Sequence, residues 1–70
     1  MNAYYTVNSN NRKRVLYFDN YVVREINSKR FHIETRQGKL ISHKENWKAA
    51  TKLAALLQEA YDTGFEHGGY

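Results

Sequence analysis

The chain has 70 residues, a formal net charge of +4, 41% hydrophobic and 14% aromatic residues, and neither cysteine nor proline. That length suits one compact domain spanning residues 1–70, and the missing thiols exclude disulfides and thiolate metal sites and fit a reducing, cytoplasmic setting. No apolar run reaches the roughly 20 residues of a membrane span, and MNAYYTVNSNN lacks the charged-then-apolar layout of a signal peptide, so the expectation is a soluble protein without a membrane partner.

In chain order, AYYTV is a candidate first strand that returns through the polar NSNN. RKRVLYFD (12–19) and NYVVREIN (20–27) are rich in β-branched and aromatic residues, and Asp19-Asn20 between them can take up the positive φ of a tight hairpin turn. A second hairpin is expected from NSKR into FHIETR, and Gln37-Gly38 then turns into KLISH, short enough for an edge strand. Strands thus occupy about residues 3–43. A helix follows over about 43–63, because Ser42 and Glu45 have capping-box spacing and KENWKAATKLAALLQEAYDTG repeats with helical period.

At about 100° per residue, Ala50, Leu53, Leu57, Ala60, Tyr61 and Gly64 share the dry side of that helix, while Lys48, Lys52, Glu59, Asp62 and Glu66 share the wet side. Gly64 is the expected left-handed stop with Phe65 folding back on it, and residues 65–70 form a frayed tail. The fold class is α+β: an antiparallel sheet of three to five strands with one C-terminal amphipathic helix packed on one face.

Two-residue turns at Asp19-Asn20 and Ser28-Lys29 set Tyr17 opposite Val22, Leu16 opposite Val23, Ile26 opposite Phe31 and Arg24 opposite Ile33. One face then collects Val15, Tyr17, Val22, Ile26, Phe31, Ile33 and Leu40, which the helix would cover. The other collects Leu16, Phe18, Tyr21 and Val23, with Arg14, Glu25, His32, Glu34, Arg36 and Ile41 around them, and it would stay open. A contiguous exposed apolar patch of that kind marks an interaction site. Arg24 is the misfit, because this register aims it toward the helix unless it snorkels outward.

Charge is divided along the chain. All eleven Lys and Arg lie between Arg12 and Lys52 with only Asp19, Glu25, Glu34 and Glu45, a net +7; Leu53 to Tyr70 carries Glu59, Asp62 and Glu66 and no cation, a net −3. A basic, aromatic sheet surface suits nucleic acid, with cations on phosphates and rings on bases. The residues expected to meet DNA or RNA, or a protein partner, are Arg12, Arg14, Leu16, Phe18, Tyr21, Val23, His32, Arg36 and Lys39. In architecture alone, a three-stranded sheet backed by a C-terminal helix resembles the arm-binding domains of tyrosine integrases; no integrase motif is present and no residue carries over.

The rival reading is a protein interface, since Tyr, Phe and Arg are favoured anchors and the mixed charges would select a partner. It describes a small inhibitor or adaptor of phage or mobile-element type, including one that counters a host defence protein, or a homodimer formed through the same face. No cofactor, metal or catalytic residue is expected: His32, His43 and His67 lack metal-ligand spacing, and no phosphate loop or nucleophile motif occurs. Trp47 reads as a core anchor at the start of the helix.

Overall fold

The computed structural model describes residues 3–67. Five strands, β1 (Tyr4–Val7), β2 (Arg14–Tyr17), β3 (Tyr21–Asn27), β4 (Arg30–Thr35) and β5 (Leu40–Lys44), form one antiparallel sheet in the order β1-β2-β3-β4-β5. The helix α1 (Trp47–His67) packs against β3, β4 and β5. The α+β class and the single C-terminal helix are as the sequence implies. The β2–β3, β3–β4 and β4–β5 connections are short hairpins because each turn carries residues suited to it: Asp19-Asn20, Ser28-Lys29, and the Arg36–Gly38 loop, in which Gly38 has φ 95°. Gly38 N donates to Thr35 O at 2.9 Å and Thr35 N to Lys39 O at 2.8 Å, which closes the last hairpin.

The first hairpin has the expected register, with Leu16 opposite Val23 and Tyr17 opposite Val22. The face assignment is inverted for β2 and β3, while Phe31 and Ile33 of β4 lie beneath the helix as expected. Asn27 does pair with Arg30 across Ser28-Lys29, but a bulge between Glu25 and Asn27 then shifts the ladder by one, so Phe31 meets Glu25, His32 meets Arg24 and Ile33 meets Val23. Since adjacent residues on a strand point to opposite faces, one inserted residue moves a whole set to the other side. The core is therefore Phe18, Val23, Phe31 and Ile33 against Ala50 and Ala54, with Leu16, Tyr21, Trp47, Leu53 and Leu57 packed around it. Leu16, Phe18, Tyr21 and Val23, expected on the open face, lie beneath the helix. Val15, Tyr17 and Val22, expected beneath it, lie on the helix-free side, and so does Arg24, which removes the misfit.

Helix α1 starts later and ends later than expected. Ser42 belongs to β5, where it pairs with Ile33, and the cap is Asn46, whose Oδ1 accepts from Ala49 N at 2.7 Å and whose carbonyl accepts from Ala50 N at 3.1 Å. Gly64 is buried within the helix and does not end it, so residues 65–67 are helical; the Phe65 side chain and residues 68–70 lie outside the described residues. Lys48, Lys52, Glu59 and Asp62 are exposed as expected, while the dry stripe is centred on Ala50, Ala54 and Gln58, with Ala60 and Tyr61 at its exposed margin. Small Ala50 and Ala54 let the helix backbone come close to the sheet. No helix among the described residues is long and apolar enough to cross a membrane.

Candidate nucleic-acid interface

Cross-strand pairing arranges the helix-free face in rows. Tyr4, Tyr17, Val22, Glu34 and Leu40 form one row across the five strands, and Thr6, Val15, Arg24, His32 and His43 form the next. Val15 and Val22 are buried although no helix covers them, and their direct cross-strand neighbours are Arg24 and Tyr17. This helix-free face is polar and aromatic and differs from the bare apolar slab expected.

Tyr4 and Tyr17 stack with ring centroids 4.9 Å apart and planes 15° from parallel. The Arg36 guanidinium lies 5.2 Å from the Tyr17 ring centroid, and its Nη1 donates to Phe18 O at 2.8 Å. In the second row the Arg24 Nε sits 3.4 Å from Glu34 Oε1 while His32 Nδ1 lies 3.7 Å from Glu34 Oε2, and Arg30 Nε donates to His32 Nε2 at 2.9 Å. An open groove of about 270 Å³ continues this face toward the β1–β2 loop, where Asn8, Asn11, Lys13, Arg24 and Ile26 contribute to its walls. The Lys13 ammonium donates to the Ile26 carbonyl that the bulge turns outward.

The topology also gathers cations at one end of the sheet. The 8–13 loop, the β3–β4 turn and the β5–α1 junction all lie at that end, since Val7 pairs with Arg14, Asn27 with Arg30 and Phe31 with Lys44. They bring Arg12, Lys13, Arg14, Lys29, Arg30, Lys44 and Lys48 to the same end, with Glu25 and Glu45 as the acids among them. Helix α1 runs from there to the opposite end, where Gln58 meets Asn20 and Glu59 and Asp62 lie exposed. The charge division seen along the sequence becomes in part a division along the molecule, with Arg36 and Lys39 the cations that lie at the Asn20 end.

Arg14 has a different role from the one expected of it. It lies on the helix side, its guanidinium 4.6 Å from the Trp47 ring centroid and 5.7 Å from that of Phe31. Glu25 Oε1 accepts from Arg14 N at 2.8 Å and from its Nε at 3.2 Å. The Arg14 backbone N–H, then the guanidinium, hold the Glu25 carboxyl below its ordinary value against a smaller opposing effect of burial. With Tyr5 edge-on to Trp47 at 6.2 Å, this cluster clamps the helix start to the sheet.

Of the other expected site residues, Phe18 and Val23 are 5% and 0% exposed beneath the helix, and Leu16 and Tyr21 pack beside them. Arg12, with φ 58°, is exposed at the basic end, His32 and Arg36 are on the helix-free face, and Lys39 is exposed beside the Arg36–Gly38 loop. Tyr4, Tyr17 and Arg24 also lie on the helix-free face, a placement the sequence does not reveal for Tyr17 because β2 and β3 alternate apolar types on both faces. Among the described residues no group of three or more His, Asp or Glu side chains could hold a metal. The chain matches no known family model, no curated protein and no solved structure.

Proposed function

We propose that this chain is a non-enzymatic nucleic-acid-binding module that meets DNA or RNA with its helix-free sheet face and the adjoining basic end. The observation that carries this reading is the convergence of Arg12, Lys13, Lys29, Arg30, Lys44 and Lys48 at one end of a sheet whose uncovered face bears Arg24, Arg36 and exposed tyrosine. Phosphate neutralisation by such cations supplies sequence-independent affinity, and the acidic far end of the helix would turn away from the polyanion. Glu34 is compatible with this surface because Arg24 and His32 flank it.

The test is a salt titration with labelled single-stranded and duplex oligonucleotides. About four phosphate contacts give a log–log slope near −3 on single strands and near −4 on duplex. An absence of binding at low salt overturns the reading.

A second reading, protein binding by edge pairing, is favoured by β5, an unpaired edge strand whose Leu40 and Ile41 are 48% and 44% exposed. The partner is then a second copy of this chain or another protein that adds a strand. A concentration-independent monomer in sedimentation would exclude the self-paired form.

A further inference from the structure

We infer that the Tyr4–Tyr17 pair is a stacking platform for one unpaired nucleobase, which makes the module selective for single strands. This rests on the nucleic-acid reading and adds to it the form of the ligand. Among the described residues, the ring pairs Phe31 with Trp47, Tyr5 with Trp47 and Tyr21 with Tyr61 lie on the helix side, where they join the sheet to α1. The Tyr4–Tyr17 stack lies on the other face and ties no helix down. Tyr4 is 57% exposed on the outermost strand, so an aromatic ring is offered to solvent already parallel to a neighbour.

Charge complementarity selects the occupant. The Arg36 guanidinium beside the Tyr17 ring uses Nη1 on Phe18 O, while its Nε and Nη2 have no acceptor among the described residues and remain available to a phosphate. Arg24 lies one row further along the same face, toward the basic end. A strand placing a base on Tyr4 would therefore run its backbone over cations in both directions. A base within a duplex has both faces covered by its neighbours and cannot use the platform, whereas an unpaired base of any identity can.

The experiment measures affinities of the full chain for a fluorescent single strand, the same strand with an abasic site at its centre, and a blunt duplex of equal length, for wild type, Tyr4→Ala and Tyr4→Phe. Tyr4 is 57% exposed on an edge strand, so its replacement should leave the protein folded at the assay temperature with the loss of at most the Tyr17 stack, which circular dichroism checks. The expected result is a single-strand affinity that falls by about tenfold in Tyr4→Ala and survives in Tyr4→Phe, with no such loss on the duplex. Equal losses on single strand and duplex, or no loss on either, would overturn the platform while leaving phosphate binding in place. Failure of every oligonucleotide to bind would overturn the nucleic-acid reading and the platform together.

Discussion

Gln58 and Asn20 hold each other by two hydrogen bonds: Asn20 N donates to Gln58 Oε1 at 2.7 Å, and Gln58 Nε2 donates to Asn20 Oδ1 at 2.8 Å. The same Nε2 also donates to Asp62 Oδ1 at 2.9 Å. Gln58 is completely buried, so this amide locks the middle of the helix to the β2–β3 turn and sets how far α1 slides along the sheet. Gln58→Ala should destabilise the fold by about 1–3 kcal/mol, because buried donors and acceptors lose their partners. Urea denaturation measures it; a loss within error of zero would mean water replaces the amide.

The Arg14–Glu25 clamp makes stability depend on pH. Its folded-state carboxyl titrates below the ordinary 4.5, so the unfolded chain binds the proton more readily. The resulting stability is fully present above pH 4.5 and is lost as pH falls through the depressed folded value. Urea midpoints between pH 7 and pH 3 should fall more for wild type than for Glu25→Gln. Parallel curves would show that Glu25 contributes no such linkage.

Gly38 supplies a backbone conformation closed to most residues. A Cβ there would meet nothing within 4 Å, so the φ of 95° alone opposes substitution. Gly38→Ala should destabilise by about 1–2 kcal/mol and Gly38→Asn by less. Thermal melts of the two variants test the order; equal midpoints would mean the loop relaxes to a negative φ.

Lys29 and Arg30 sit at an exposed turn away from the core, so replacing them tests the basic end without threatening the fold. The double variant Lys29→Ala/Arg30→Ala should leave the urea midpoint nearly unchanged and make the single-strand salt slope shallower by about 1.4, two contacts at 0.7 each. An unchanged slope would move the phosphate contacts elsewhere on the surface.

Ile33 and Leu40 separate the two faces energetically. Ile33 is fully buried and Leu40 is 48% exposed. Ile33→Ala should cost about 2–5 kcal/mol, and Leu40→Ala under about 1 kcal/mol. Chemical denaturation of both variants reads the difference directly.

What the sequence by itself determined was local. Asp19-Asn20, Ser28-Lys29 and Gly38 mark turns by their backbone preferences, and the period of KAATKLAALL marks a helix, so the strand order and the α+β class follow from neighbours in the chain. The strands themselves could not declare an inside. Leu16, Phe18 and Val23 exceed Val15, Tyr17 and Val22 in apolar character only by a methylene and a missing hydroxyl, and alternation that is apolar on both sides carries little sign.

Tertiary structure decided the sign through one inserted residue. The bulge at Ile26 sets Val23 beside Ile33, joins Leu16 and Val23 to the residues that meet Ala50 and Ala54, and leaves Tyr17 and Arg24 outside. A bulge depends on whether the shifted ladder packs better against the helix, a comparison between segments distant in the chain that no local pattern encodes. The same holds for Arg14 on Trp47 and Gln58 on Asn20, pairs that exist only after the helix has docked.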